Sequence, residues 1–201
     1  MKTKNIISTL LCSLFVFSGQ QALANTYFLN QSNELADGVN YAQVDVLETG
    51  GNLNFTVTAL APTNWKFSDF YVNLGGPTGD ITLTGFPSGW DERPNHNDSE
   101  FGRFSDGVKG TGRTLQSVFS FTADGTNTLS FANLLENNKG WIFAAHVQCS
   151  GRGGNVCSSV DGEKSHHIAG TDVSPIPIPG AIWLFGTALV GFISMSNRRK
   201  V

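Results

Sequence analysis

Several common catalytic signatures are missing from these 201 residues. Neither Gly-x-Ser-x-Gly nor His-Glu-x-x-His occurs, which removes the serine-elbow hydrolases and the helix-borne zinc proteases. The string from Gly85 to Trp90 has only a superficial likeness to a serine elbow. Gly107, Gly110 and Gly112 lack the Lys-Ser/Thr ending that a phosphate loop needs. The chain also has no EF-hand spacing and no calcium-binding nonapeptide repeat. Between residues 25 and 174 no stretch sustains a helical period beyond a turn near Ala132–Glu136, which excludes a helical bundle. Basic residues are few: 13 Lys and Arg in all, with Lys2, Lys4, Arg198, Arg199 and Lys200 at the two ends. Residues 25–174 therefore hold 8 basic against 16 acidic residues, a net charge of −8, which argues against nucleic acid or an anionic membrane as partner. That balance suits neutral glycans, cations or simple solubility.

The first informative stretch is the beginning. Lys2 and Lys4 precede the apolar run Ile6–Phe17, and Ala22, Leu23 and Ala24 supply small residues at signal-peptidase spacing. Residues 1–24 read as a secretory signal peptide cut after Ala24 by signal peptidase. Cys12 lies inside its apolar core and follows Leu11, where lipidation would need a small residue.

The end carries the most specific text. Pro175, Pro177 and Pro179 alternate with Ile176 and Ile178; the 16 uncharged residues Gly180–Met195 follow, then Arg198, Arg199 and Lys200. At about 1.5 Å of rise per residue, helix 180–195 spans about 24 Å, a marginal crossing of a bilayer core of about 30 Å. The basic cluster favours the cytoplasmic side, and Trp183 suits the opposite interface. Pro177-Ile178-Pro179-Gly180-Ala181-Ile182-Trp183-Leu184-Phe185-Gly186 closely resembles the proline-flanked variant of the PEP-CTERM sorting signal. Here the acidic residue of the Pro-Glu-Pro form is absent and Gly180 replaces the usual Ala. An ordinary tail anchor needs neither Pro-x-Pro nor Trp-Leu-Phe-Gly. The resemblance implies recognition of residues 175–201 by an exosortase, a membrane-embedded cysteine transpeptidase of exopolysaccharide-producing Gram-negative bacteria. It implies a transient stay in the inner membrane, then the cell surface or extracellular matrix.

The remaining residues, 25–174, have room for one domain with a real core. Ala42, Val44 and Val46 alternate with Tyr41, Gln43 and Asp45, and Leu53, Phe55, Val57 and Ala59 alternate with Asn54, Thr56 and Thr58. Further short runs at 67–74, 81–86, 115–121, 128–131 and 141–148 are separated by Gly-rich turns. The pattern predicts an all-β domain, a single β-sandwich or a jelly-roll-like fold.

One interval breaks the rhythm. Residues 87–114 are rich in Gly, Asp and Asn around Trp90, Phe101 and Phe104, and read as a long loop. Asp91, Glu92, Asn95, Asn97, Asp98 and Glu100 offer hard oxygen ligands suited to Ca²⁺, and with Trp90 they form the candidate cation or glycan site. The plainer reading is a solvated loop with its rings tucked beneath; exposed rings would favour glycan binding, and a buried Trp90 a structural role. His146 lies on the opposite strand face from Ala145 and Val147, while His166 and His167 point to opposite faces of theirs. Those two histidines with Cys149 and Cys157 match no common zinc spacing. The two cysteines, an even pair in an oxidising setting with three glycines between them, read instead as a disulfide. A carboxylate pair for glycoside hydrolysis can be distant in sequence, so that chemistry is left to geometry.

Tyr41-Ala42, Gly102-Arg103-Phe104 and the run from Phe143 to Val147 are similar to text in the small β-rich passenger domains of PEP-CTERM proteins. The association implies a non-enzymatic structural or adhesive role beside exopolysaccharide, in biofilm or floc formation. The rival expectation is a carbohydrate-binding module, and behind it a glycan-active enzyme.

Overall fold

The computed structural model describes residues 23–60, 65–76, 80–98, 100–111, 114–149 and 165–174. Fourteen strands lie among them: β1 (Leu23–Leu29), β2 (Gln31–Ser32), β3 (Ala42–Thr49), β4 (Asn52–Ala59), β5 (Trp65–Val72), β6 (Ile81–Thr84), β7 (Trp90–Glu92), β8 (His96–Asp98), β9 (Gly102–Phe104), β10 (Asp106–Gly110), β11 (Val118–Gly125), β12 (Phe143–Cys149), β13 (Ser165–Gly170) and β14 (Asp172–Ser174). The single helical element among the described residues is a 3-10 turn, Phe131–Asn133. No helix among them is long and apolar enough to cross a membrane.

The strands form two six-stranded antiparallel sheets. Sheet one runs β14-β1-β3-β4-β11-β6 and sheet two runs β2-β13-β12-β5-β10-β7, with β8 and β9 as a separate hairpin. The alternation in β3 and β4 sends Ala42, Val44, Val46, Leu53, Phe55 and Val57 inward, each nearly or fully buried. They meet the inner residues of sheet two across a shared aromatic core. Phe55 stacks on Phe121 at 4.7 Å, Tyr27 and Phe55 set edges on Phe143, and Phe70 contacts Phe119, Phe121 and Phe143. Rings of this size bury about 150–250 Å² each, so this cluster dominates the favourable side of folding. The result is an all-β, sandwich-like fold.

Expected strand 128–131 is not one. Leu129 is fully buried, its amide donates to the Gly51 carbonyl, and the chain then turns through the 3-10 element. Four residues give too little alternation to separate a strand from a plug of the core.

One long edge is closed by strands that change sheet. β1 belongs to sheet one; one residue later, β2 pairs with β13 in sheet two, and the reverse switch takes β13 into β14. At this corner the backbones come so close that a Cβ on Gly170 would collide with the Phe28 carbonyl. β1 begins at Leu23, so the last two residues of the expected leader already face Glu48 and Leu47 in register.

Candidate functional site

The interval 87–114 is not an irregular loop. It holds β7 to β10, whose three- to five-residue strands are too short to announce themselves by alternation. β7 and β10 extend sheet two, and β8 and β9 prolong the same pairing beyond a bend. Arg93 N donates to Gly107 O and Asn95 N to Ser105 O across that bend, where Asn95 takes a left-handed φ of 55°. The hairpin folds onto the outer face of sheet two and forms a small second core of Tyr71, Phe101, Phe104, Ala144 and Ala169, flanked by Trp141. Trp90 is 3% exposed and packs on Phe119 at 4.7 Å, while Phe101 and Phe104 are buried under the hairpin. All three rings of the candidate glycan loop are therefore inside the protein.

Beside this hairpin, register brings ionisable side chains into a row. His167 on β13 faces His146 on β12; His146 faces Asp69 on β5, Asp69 faces Lys109 on β10, and Lys109 faces Asp91 on β7. A β-bulge between His146 and Val147 leaves Ser68 as the extra residue of β5, next to Asp69. Ser68 Oγ lies 2.8 Å from His146 Nδ1 and donates to Asp69 Oδ2 at 2.8 Å. Lys109 Nζ is 3.1 Å from Asp69 Oδ1, an ion pair without hydrogen-bond alignment. Burial alone would raise the Asp69 carboxyl, but the hydrogen bonds from His146 and Ser68 and the Lys109 charge outweigh it and hold the group at about 2.

The second half of the network fastens the hairpin. Asp98, at the end of β8, is 2% exposed; its Oδ1 accepts from the amides of Glu100 and Phe101, each at 3.0 Å, and its Oδ2 lies 2.6 Å from His167 Nδ1. Burial opposes ionisation of Asp98, yet the His167 bond and the two amides bring its carboxyl below the ordinary value. The Asp98 hydrogen bond raises the His167 imidazole against the opposing effect of burial. His146 and His167 stack with centroids 4.5 Å apart. Higher on the hairpin, His96 stacks on Tyr71 at 4.3 Å; burial, then the Arg93 charge, lowers its imidazole and favours the neutral ring.

No family model, curated protein or solved structure matches this chain.

Serine, histidine and aspartate thus meet here, but not as a nucleophilic triad. That chemistry needs the hydroxyl on one ring nitrogen and the carboxylate on the other, so that the ring relays a proton between them. Here Ser68 Oγ and Asp69 Oδ2 both face Nδ1 of His146, at 2.8 and 3.4 Å. The candidate cation ligands diverge as well. Asp91, Asn95, Asn97 and Glu100 are exposed at separate points along the hairpin, Glu92 Oε1 accepts the Leu83 amide from sheet one, and Asp98 points inward. Among the described residues, no group of three or more His, Cys, Asp or Glu is placed to hold a metal. His166 and His167 do point oppositely: His166 is buried against Trp65 at 4.8 Å, with Nδ1 3.2 Å from Glu34 and no hydrogen-bond alignment.

Clefts border the network and its hairpin. One of about 290 Å³ lies among Asp91, Arg93, Lys109, Gly110 and Thr111, and one of about 190 Å³ among Ser68, Asp69, Lys109, Thr114, His146 and Gln148. A wider one of about 540 Å³ separates the hairpin from Glu136, Asn137 and Asn138; its one aromatic neighbour, Phe104, is fully buried. None of these offers an exposed aromatic side chain for a sugar to stack on. The Ser68–Asp69–His146 and Asp98–His167 contacts were not legible in the sequence, because each joins residues far apart: 78 positions for Ser68 and His146, 69 for Asp98 and His167. The sorting residues Pro177, Ile178, Pro179, Trp183, Arg198, Arg199 and Lys200 lie outside the described residues, as does Cys157, so the disulfide with Cys149 does too.

Proposed function

We propose that this chain is an exported, exosortase-sorted protein of a Gram-negative cell surface or matrix, whose body plays a structural or adhesive part beside exopolysaccharide. The tail carries the reading: a proline motif, a short apolar helix over 180–195 and terminal basic residues, in that order. On this reading residues 1–24 are the signal peptide, the body spans 25–174, and Cys149 is bridged to Cys157. Three features of the body favour a non-catalytic role. Trp90, Phe101 and Phe104 are spent on packing. The most reactive-looking side chains are spent on one another: Ser68 and Asp69 on His146 within sheet two, and Asp98 on His167, which fastens the hairpin. The ionisable row has no arrangement for nucleophilic attack or metal-assisted hydrolysis.

Intact-mass spectrometry of surface or released protein tests the reading. The expected product begins near Asn25, lacks Trp183–Val201, and takes up no alkylating agent at Cys149 or Cys157 until it is reduced. A product that still contains Trp183–Val201 would make the segment a plain anchor. Two thiols open to alkylation would remove the bridge, which is expected to stabilise the fold by about 2–3 kcal/mol through the unfolded chain.

A further inference from the structure

The two outer faces of the sandwich differ. The hairpin covers much of sheet two, while sheet one shows Ser120, Thr82, Thr84 and Val118 exposed on its outer face. Register sets the outward side chains of sheet one in rows that cross its strands. One row is Thr26, Asp45, Thr56 and Ser120; a second is Phe28, Gln43, Thr58 and Val118; a third is Leu47, Asn54, Thr122 and Thr84.

The hydroxyls and amides in these rows are tied to one another across strands. Thr26 Oγ1 donates to Asp45 Oδ1 at 2.6 Å, Thr56 and Ser120 share a bond of 3.0 Å, and Thr122 Oγ1 donates to Asn54 Oδ1 at 2.8 Å. Thr84 Oγ1 donates to Asp124 Oδ2 at 3.0 Å. Such pairs hold each rotamer, and each hydroxyl oxygen keeps an unused lone pair for an outside partner. Strands about 4.8 Å apart and alternate residues about 6.8 Å apart repeat the groups at regular intervals.

Charge narrows the partner. None of the six strands of sheet one contains a lysine or arginine, and Asp45 and Asp124 stand among its outward residues. Among the described residues, the strands of this face thus supply no cation for a uronate, a nucleic acid or an anionic lipid. Its apolar side chains, Phe28, Leu47 and Val118, stand singly among polar ones, which suits no hydrophobic partner surface. The partner it fits is uncharged, donates and accepts hydrogen bonds, presents small apolar C–H faces, and repeats along its length.

We propose that the outer face of sheet one is a docking surface for a neutral polysaccharide chain, laid across the Thr26–Asp45–Thr56–Ser120 row and its neighbours. This deepens the proposed matrix role and rests on it. The test uses the full-length chain in mild detergent and its retention by insoluble cellulose, by alginate, and by the exopolysaccharide of the producing cell. Retention by cellulose and exopolysaccharide but not by alginate is expected. Thr56→Lys with Ser120→Lys should lower it at least about tenfold, the effect of losing one or two hydrogen bonds. Thr56→Val with Ser120→Ala keeps shape and strand preference, and decides the matter if the lysine pair misfolds. Gln148→Lys on sheet two should leave retention unchanged.

Equal retention of the wild type and both sheet-one variants by exopolysaccharide would overturn the surface and leave the matrix role standing. Wild-type protein retained by no polysaccharide would overturn both. Preference for alginate would overturn the neutral-glycan assignment. So would a self-association, seen by light scattering, that the sheet-one variants abolish, since the occupant would then be a second copy.

Discussion

At the scale of single residues, Asp98 shows how burial turns an apparent surface ligand into a structural lock. Three donors surround its carboxylate, so truncation strands two amides as well as His167. Asp98→Ala is expected to cost about 3 kcal/mol, read as a fall in thermal midpoint. The pair also sets a pH window. His167 is raised in the folded state, so its contribution is complete below its ordinary value of 6.5 and fades as pH climbs through the raised value. Asp98 is lowered, so its contribution is complete above 3.8 and fades as pH falls through the lowered value. Asp69 and Glu100, which also face His167, act in the same direction on it. Amide-exchange protection of Gly102–Phe104 should therefore peak between pH 3.8 and 6.5 and decline on either side. Asp98→Asn should flatten both limbs and return the His167 imidazole toward its ordinary value in an NMR titration. An unchanged profile would show that the hairpin is held by its apolar contacts alone.

At the scale of elements, the corner where β1 passes into β2 and β13 into β14 does the work that a covering helix does in other sheets. It leaves only the short strands β14 and β2 as edges on that side, because the two long strands change sheet together. The cost is close approach, and Gly170 answers it. A methyl group there meets backbone, the Phe28 carbonyl and Leu29 Cα, which cannot swing away as a side chain could. Gly170→Ala is expected to destabilise by at least about 2 kcal/mol, as for other overpacked sites. Gly140→Ala, where the nearest atom is a Glu136 carboxylate oxygen 4.0 Å away, provides a comparison for the left-handed backbone alone, since Gly140 has φ of 87°. Denaturant midpoints check both. A Gly170→Ala midpoint equal to wild type would mean that the two sheets are not pinned together there.

At the scale of the whole molecule, both ends of the body leave from one place. Thr26 faces Ser174 across β1 and β14, so the expected leader and the proline run begin side by side at one corner of sheet one. On the proposed reading, a body joined to the membrane by either segment would present the same corner to it, without refolding between the two proposed processing steps. Pro175 lacks the amide hydrogen that would carry β14 further along β1. Each proline also disfavours helix in the residue before it, so on the proposed reading 174–179 is expected to be extended and open to a transpeptidase. On the proposed reading, Pro177→Ala with Pro179→Ala should let the expected helix over 180–195 grow toward the body and block processing, leaving near-full-length protein in the inner-membrane fraction. Cleavage at the wild-type rate, followed by C-terminal mass, would refute this account of the prolines.

The sequence by itself determined what depends on near neighbours. Alternation along β3 and β4 named the strand faces, Ala42 to Val46 and Leu53 to Val57 named part of the core, and the proposed leader and tail rest on contiguous text alone. Tertiary structure alone decided the strand order, the strands that change sheet, the folding of the β8–β9 hairpin onto sheet two, and the meeting of Asp69, His146, His167 and Asp98. Those contacts depend on register and on one bulged residue, Ser68. A one-residue slip would send every side chain of a strand to its other face, and no local pattern in a single sequence reports which register the distant partner will take.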